Sequence, residues 1–211
     1  MRIEAEKLRL YAVTDRVRAR SAAELLAQVA AAIEGGAGVV QLREKELPYG
    51  EFLAEAREFV ALCRSMGAVS IINDSVEIAA ETGADGVHVG QDDMAAARAR
   101  EILGPGRIIG VSAHTVAEAR AAWEMGADYL GTGAAFVTGT KADAKPIERE
   151  TIRAITAAVD IPVVAIGGIS EANLPQLGGL GLAGAAVASA LFAREDVRAA
   201  AQRLLPLCRA L

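Results

Sequence analysis

The feature that most constrains the fold is a short motif that recurs where a predicted helix gives way to the next strand. The segments GGAGVV (35–40), TGADGVHV (82–89), MGADYLG (125–131) and GLAGAAV (181–187) each place small residues before an apolar run. A junction repeated in this way predicts tandem strand–helix units. Strands that are each followed by a helix pair in parallel, because the helix carries the chain back to the starting side of the sheet.

The apolar and β-branched runs predict about eight such units. The predicted strands cover about 8–14, 39–45, 69–74, 86–90, 108–113, 129–136, 162–169 and 184–192. Helical spacing lies between them, as in SAAELLAQVAAAIEGG and YGEFLAEAREFVALCRSMG, and several helices end in glycine. An α/β sheet of this kind is either open and doubly wound or closed as a barrel. The strand count and the 211-residue length favour one (β/α)8 TIM barrel with a parallel inner sheet, spanning residues 1–211 as a single catalytic domain.

Charge and composition exclude several classes of function. The formal net charge is −5, and the Lys and Arg residues are scattered among acids, so we expect no nucleic-acid partner. No segment has the length and apolarity of a membrane span, which predicts a cytoplasmic protein without membrane contact. Cys63 and Cys208 have no partners at metal-ligand spacing and are expected to be reduced thiols in or near the core.

One predicted strand ends in an unusual set of side chains. Gln41, Arg43 and Lys45 alternate along QLREK, so an extended chain would direct all three to one face. Polar groups are costly in the packed interior of a barrel, whereas the carboxyl ends of its strands form the functional face. These three side chains are therefore expected to point into the barrel mouth and to bind an anion.

The other strand ends carry matching chemistry. The candidates are Asn73, Asp74, His88, Gln91, Asp92, Asp93, Ser112, His114, Thr138, Thr140, Lys141, Gly167, Gly168 and Ser189. Two separated carboxylates beside three cationic side chains suggest Mg²⁺ held through few protein oxygens, with substrate phosphate and water completing its coordination. The glycines after strand seven and Ser189 after strand eight lie where barrels often bind phosphate.

Simpler explanations compete at several of these positions. Asp74 or Ser75 could cap the following helix, and either Asp92 or Asp93 could complement the dipole of the next one. His88 is more often a hydrogen-bonded structural residue, and His114 with Glu118 lacks the HExxH pattern of zinc proteases. The alternating set at Gln41, Arg43 and Lys45 has no such explanation.

An ordered series of motifs resembles the thiamine phosphate synthase family over nearly the whole chain. The motifs are YAVTD (11–15), QLREK (41–45), IIND (71–74), GVHVGQDD (86–93), GVSAHT (110–115), TGTK (138–141) and VVAIGGI (163–169). The resemblance implies a (β/α)8 transferase that uses Mg²⁺ and two small-molecule substrates. It would join 4-amino-2-methyl-5-hydroxymethylpyrimidine diphosphate to 4-methyl-5-(2-phosphoethyl)thiazole, giving thiamine phosphate and diphosphate. A homodimer is implied by the family alone.

Roles for individual residues also follow from the resemblance. By family position, Arg43, Lys45, Asn73 and Lys141 match the residues that hold the diphosphate, and Asp74 and Asp93 match those that hold the metal. Gln41 matches the residue that recognises the pyrimidine, which Ser112 also faces, while Thr138, Thr140, Gly168 and Ser189 match the thiazole-phosphate side. Arg43, Lys45, Lys141 and Ser112 are the expected catalytic residues. The segment GTGAAFVTGTK departs from the family, because it has Ala134, Ala135 and Val137 where a Pro-containing stretch is common.

The chemistry expected of such a site needs no protein nucleophile. The leaving diphosphate gains negative charge as its C–O bond breaks, so cations stabilise the transition state more than the ground state. An aminopyrimidine can support a methylene carbocation, which the thiazole nitrogen then captures. Two alternatives remain open: a thiazole tautomerase of the same fold, and a non-catalytic thiamine-pathway sensor that binds a phosphate ligand.

Overall fold

The computed structural model describes residues 3–90, 93–137 and 146–211, with the side chains of residues 93–95 left out. Its eight strands form a closed, all-parallel barrel in sequence order, and β8 pairs with β1. The strands are β1 (Leu10–Val13), β2 (Val39–Leu42), β3 (Val69–Asn73), β4 (Gly86–Val89), β5 (Ile108–Ala113), β6 (Tyr129–Thr132), β7 (Val163–Ile166) and β8 (Gly184–Val187). The predicted (β/α)8 barrel is confirmed.

Helices cover the outside of the barrel. They are α1 (Ala22–Glu34), α2 (Tyr49–Met66), α3 (Val76–Thr82), α4 (Asp93–Leu103), α5 (Val116–Glu124), α6 (Arg149–Ala157), α7 (Ser189–Phe192) and α8 (Val197–Arg209). The connection from β7 to β8 contains a 3-10 helix, Leu174–Leu177, in place of a full α-helix. Within the described residues, every helix is too short or too polar to cross a membrane.

The helix ends follow the local sequence. Ser21, Ser75 and Thr115 are N-caps whose side-chain oxygens accept from the backbone N–H three residues later, which satisfies a donor that the helix itself leaves unpaired. Gly67 and Gly83 end α2 and α3 in the left-handed conformation that favours glycine. The predicted glycine ends are confirmed at these two helices.

Several predicted strands extend too far. The strand predicted at 39–45 ends at Leu42, and that predicted at 184–192 ends at Val187, after which the chain turns into α7. The pairing of β2 with β3 runs only from Val39 to Leu42. Apolar or alternating residues continue past these points, but a residue without a ladder partner does not extend the strand. The segment at 43–48 is therefore a loop, and the alternation does not fix where Lys45 points.

The core has two layers, as the period-two alternation of strands requires. Inward residues such as Tyr11, Val39, Ile71 and Tyr129 fill the barrel. Outward residues such as Val40 pack under the helices in a second, larger cluster. A closed barrel has no free edge, so inward polar side chains must find partners inside it.

Both cysteines lie in the helical layer. Cys63 on α2 and Cys208 on α8 are free thiols with no exposed surface. Burial is the largest cause that raises the pKa of each thiol to about 12. The expectation of reduced thiols in the core is confirmed.

Arg100 joins two connections at the amino-terminal end of the barrel, the one from α4 to β5 and the one from α5 to β6. Its guanidinium donates to the carbonyl oxygens of Gly104 and Arg107, at 3.0 and 2.7 Å, and to the carbonyl oxygen of Gly126 at 2.9 Å. It also donates to Oδ2 of Asp128 at 2.8 Å, and the Asp128 side chain is only 6% exposed. A charged fork with four acceptors is expected to stabilise this end of the barrel.

We expect Arg100→Met to lower the free energy of unfolding by roughly 2 kcal/mol, because the substitution leaves a buried carboxylate and three carbonyl groups without this donor. Urea unfolding followed by circular dichroism measures the change. Arg98→Met is the control, since Arg98 is exposed on the same helix and pairs with the exposed Glu101; it should change stability by less than about 0.5 kcal/mol. Equal effects of the two substitutions would contradict this role for Arg100.

Candidate active site

A cavity of about 390 Å³ opens at the carboxyl ends of the strands. It is lined by loop and strand-end residues from around the barrel, among them Thr14, Asp15, Gln41, Arg43, Asn73, His88, Ser112, His114, Gly168 and Ser189. Its size suits a small-molecule ligand. We call this cavity the mouth pocket. Of the twelve residues that the sequence predicts for substrate or metal, six line it: Gln41, Arg43, Asn73, Ser112, Gly168 and Ser189.

Gln41 and Arg43 are held in the pocket wall by the neighbouring strand. Gln41 lies in β2 and is only 4% exposed, and its carbonyl oxygen accepts from the backbone N–H of Thr14 at 2.9 Å. The Thr14 hydroxyl oxygen in turn accepts from the backbone N–H of Arg43 at 2.9 Å. This reciprocal pair fixes the start of the β2 loop against β1. Lys45 is exposed and lies outside the residues that line the mouth pocket.

Asn73 and Asp74 end β3 with their side chains joined. The Asn73 amide donates to Oδ2 of Asp74 at 2.7 Å, and the Asp74 carboxylate is exposed. Asp74 has a φ of 62°, a left-handed conformation that Asp and Asn tolerate better than most residues. Ser75, and not Asp74, supplies the N-cap of α3. The capping explanation for this carboxylate is therefore wrong.

Some predicted residues lie outside the described part of the chain. Thr138, Thr140 and Lys141 are among these, as are Gln91 and Asp92. Asp93 begins α4, but its side chain is not described. In the described residues, no three His, Cys, Asp or Glu side chains form a group that could hold a metal ion.

A continuous set of hydrogen bonds crosses the barrel just below the pocket. Nε2 of Gln41 donates to the Tyr11 hydroxyl at 2.8 Å, and the two hydroxyls of Tyr11 and Tyr129 are 2.7 Å apart. The Tyr129 hydroxyl lies 2.9 Å from Nδ1 of His88, whose Nε2 lies 3.1 Å from Oγ of Ser112. We call these five residues the interior network. It begins and ends at residues that line the mouth pocket.

Burial keeps the two phenols of the interior network neutral. Tyr11 and Tyr129 are 1% and 0% exposed. Desolvation is the largest cause that raises the pKa of both hydroxyls well above the ordinary value, although the hydrogen bonds from Tyr129 and Gln41 oppose it at Tyr11. Each hydroxyl therefore carries one proton at neutral pH.

Two glycines make room for the rings of the interior network. A Cβ at Gly110 on β5 would overlap the phenol carbon and hydroxyl of Tyr129 on the neighbouring strand. A Cβ at Gly131 on β6 would lie 3.1 Å from Cε1 of His88. The ring of Tyr129 therefore requires glycine at position 110, and glycine at position 131 spares the His88 ring a tight contact; the two rings lie side by side with centroids 5.5 Å apart.

The opposite wall of the pocket is the loop after β7. Gly167 and Gly168 have φ values of 97° and 65°, and a Cβ at Gly168 would overlap the carbonyl oxygen of Val137 in the β6 loop. The Asn173 amide donates to the carbonyl oxygen of Gly168 at 2.8 Å, which fixes the turn. Ser189, the first residue of α7, is exposed at the same wall.

A buried ion cluster supports the loop that carries Arg43. Arg16 donates from Nε to Glu44 at 2.7 Å and from a terminal nitrogen to Glu55 on α2. The side chains of Glu44 and Glu55 are only 5% and 4% exposed. Burial, the largest cause, and the neighbouring Glu55 raise the pKa of Glu44, although Arg16 lowers it. Arg16 is thus the counter-ion that allows two carboxylates to share this space.

Several of these positioning residues are not among the candidates that the sequence predicts. Thr14 and Tyr11 both lie in the quoted motif YAVTD, and an inward position for Tyr11 follows from strand alternation. The roles of Tyr129 and Arg16 cannot be predicted from the neighbouring sequence, because their partners lie far along the chain. His88 was interpreted as structural, and its place in the interior network agrees with that, although it also lines the pocket.

The closed barrel, with a polar pocket at the carboxyl ends of its strands, has the architecture of a (β/α)8-barrel enzyme. A family model described as thiamine monophosphate synthase matches residues 10–191. The chain belongs to this family.

Individual relatives agree with the family assignment. The chain is 50% identical over 177 residues to a thiamine-phosphate synthase of Moorella thermoacetica, covering 83% of this chain and 84% of that one. It is 48% identical over 196 residues to a probable chloroplastic thiamine biosynthetic bifunctional enzyme of rice, covering 91% of this chain but spanning only 36% of the rice protein. The structure of a thiamine phosphate pyrophosphorylase from Pyrococcus furiosus superposes with a TM-score of 0.88 at 39% identity, covering 97% of both chains.

The ion cluster predicts a pH-dependent loss of stability in Arg16→Met. Without Arg16, the pKa of Glu44 rises further above its unfolded value. A carboxyl group with a raised folded pKa binds more protons in the folded state, so its contribution to stability is present at low pH and is lost as the pH rises through the folded pKa. We expect a loss of roughly 2 kcal/mol at pH 7 and a smaller loss at pH 4, measured by urea unfolding.

Arg18→Met is the control, because Arg18 lies in the same loop but pairs at 3.7 Å with Glu195, whose side chain is 89% exposed. It should cost less than about 0.5 kcal/mol at both pH values. A loss in Arg16→Met that is the same at pH 4 and pH 7 would rule out Glu44 as its source.

Proposed function

We propose that this chain is a thiamine-phosphate synthase that joins a pyrimidine diphosphate to a thiazole phosphate. The substrates are 4-amino-2-methyl-5-hydroxymethylpyrimidine diphosphate and 4-methyl-5-(2-phosphoethyl)thiazole, and the products are thiamine phosphate and diphosphate. The observation that carries the proposal is the lining of the mouth pocket, where Gln41 and Ser112 share one cavity with Arg43 and Asn73. The family of the chain supports the same function.

The reaction is a substitution at the pyrimidine methylene carbon. The C–O bond to the diphosphate breaks with both electrons leaving on oxygen, and the lone pair of the thiazole nitrogen forms the new C–N bond. Arg43 and Asn73 offer donors to the leaving oxygens, where negative charge develops. The pocket holds the two substrates together and excludes water from the carbocation. Lys45 and Lys141 are proposed to complete the diphosphate site.

Asp74 and Asp93 are the proposed ligands of Mg²⁺. The described part of this site fits the ion, because Asp74 has an exposed carboxylate directly after the pocket residue Asn73, and Mg²⁺ prefers few carboxylates together with substrate phosphate. When bound, Mg²⁺ supplies positive charge that neutralises the diphosphate. The Asn73 amide holds one oxygen of Asp74, which limits the rotation of that carboxylate.

The thiazole phosphate is proposed to bind at the wall formed by Gly168 and Ser189, together with Thr138 and Thr140. Gly168 lies at the pocket in a conformation that leaves its backbone uncovered by a side chain. A cytoplasmic location, a homodimer and a single catalytic domain over residues 1–211 remain predictions.

The function is tested by incubating the protein with the two substrates. Mass-resolved chromatography then measures whether thiamine phosphate is formed. We expect product with Mg²⁺ and none with excess chelator. Asp74→Asn keeps the tolerated backbone conformation but loses the charge, so it should need more Mg²⁺ for the same rate. No product under any condition, with both ligands bound, would favour the tautomerase or the sensor.

Arg43→Ala should lower kcat about a hundredfold or more, because it removes a donor aimed at the leaving group. Arg43→Lys keeps the charge without the planar fork and should lose less. The control is Arg18→Ala, at an exposed arginine outside the mouth pocket. Near-normal turnover in Arg43→Ala would remove Arg43 from the catalytic site.

A further inference from the structure

The main chain at Arg43 is held by a side chain at a place where a strand ladder would use a carbonyl group. β1 and β2 pair in parallel as far as Val13 opposite Gln41. One further ladder bond is present, because the backbone N–H of Thr14 donates to the carbonyl oxygen of Gln41 at 2.9 Å. In a parallel pair the following bond would run from the Arg43 N–H to the Thr14 carbonyl oxygen. The Thr14 hydroxyl oxygen accepts that N–H instead, at 2.9 Å.

This exchange of acceptor marks the point where the chain leaves the sheet. β2 ends at Leu42, and Arg43 is the next residue. Arg43 lines the mouth pocket, whereas the side chain of Glu44 bonds to Arg16 at 2.7 Å and is not part of the pocket lining. Thr14 is only 1% exposed, so its hydroxyl is a fixed point against which the Arg43 main chain is placed.

The direction of the Arg43 side chain depends on this main-chain contact. Within the part of the chain that the structure describes, the Arg43 guanidinium makes no hydrogen bond or ion pair. Arg16 and Arg100 differ in this respect, because carboxylates hold both of their guanidinium groups. The rotamers open to a side chain depend on the φ and ψ of its own backbone. A shift of the Arg43 backbone would therefore move its guanidinium in the pocket.

We propose that Thr14 is a positioning residue, whose hydroxyl oxygen holds the Arg43 main chain so that the guanidinium is aimed at the leaving diphosphate. The inference rests on the proposed function for what Arg43 binds, but not for the contact itself. Thr14 acts through Arg43 and needs no bond of its own to the ligand. Serine keeps the oxygen that this role requires, whereas valine keeps the shape of threonine and lacks the oxygen.

The contact is tested in the ligand-free protein by hydrogen exchange of the Arg43 amide, followed by ¹⁵N NMR. Thr14→Val removes the acceptor, so we expect the Arg43 amide to exchange at least about tenfold faster than in the natural protein. Thr14→Ser keeps the acceptor and should keep the slow exchange. Equal rates in the natural protein and Thr14→Val would overturn the inference, because the amide would then have another acceptor.

Turnover tests whether the contact aims Arg43. Misplacing a group by about 1 Å can cost a reaction about a hundredfold, so Thr14→Val should lower kcat at least about tenfold. The KM for the thiazole phosphate, which is proposed to bind at the opposite wall, should stay unchanged. Thr14→Ser should recover most of the kcat. An unchanged kcat in Thr14→Val, or an equal loss in Thr14→Ser, would overturn the positioning role.

Thr156→Val is the matched control. Thr156 lies on α6, outside the residues that line the mouth pocket, and its hydroxyl donates to the carbonyl oxygen of Leu180 at 2.6 Å. The same substitution therefore removes a hydroxyl–main-chain bond there without touching Arg43. We expect this variant to keep the kcat and the Arg43 amide exchange of the natural protein. A comparable loss of kcat in both valine variants would assign the effect to stability and overturn the inference.

Adding Thr14→Val to Arg43→Ala decides whether Thr14 acts through Arg43. If it does, the second substitution causes no further loss of kcat, because the group that Thr14 positions is already absent. A further loss in the double variant would give Thr14 a separate role and overturn the inference. If the natural protein forms no product, the proposed function fails, and the amide exchange alone then confirms or overturns the hold of Thr14 on Arg43.

Discussion

The pairing of β1 with β8 is the constraint on which the rest of the structure depends. It closes the sheet, with Leu10 opposite Ala185 and Ala12 opposite Val187. In a closed parallel sheet the inward positions cannot move to solvent, since a shift of one residue would turn every side chain to the other face. Polar residues at those positions, such as Tyr11, His88 and Tyr129, must therefore satisfy one another. Closure thus turns five scattered residues into one hydrogen-bonded unit.

The same closure explains how loops can form a precise site. The rim residues stand on short strands, and each loop is tied to a neighbour by a specific contact: Thr14 holds Arg43, Arg16 holds Glu44, and Asn173 holds Gly168. Groups fixed before the ligand arrives need little reorganisation when charge develops in the reaction. The ligand-facing groups at the described rim are therefore largely preorganised, and the positioning contacts are as much a part of the site as the residues that line it.

The order of elements could be predicted from the sequence, whereas several strand ends and most of the partners could not. The repeated junctions gave the barrel, and alternation placed Gln41 and Arg43 at the pocket. Alternation does not stop where pairing stops, which is why Lys45 was assigned to a strand that ends at Leu42. The contact between Tyr11 and Tyr129 joins residues 118 positions apart, and no local pattern reveals it. Ser75 rather than Asp74 became the cap because backbone geometry, not residue type, decides between neighbours.

The burial of Cys63 and Cys208 has a practical consequence. With pKa values near 12, both thiols are almost entirely protonated at neutral pH, and neither is reached by solvent. The thiolate is the form that reacts with maleimides and related reagents. A single cysteine introduced at an exposed site such as Val17, which is 68% exposed close to Arg16, would react in preference to both. The natural sequence is therefore a suitable background for a fluorescent or spin label, with no need to replace its own cysteines.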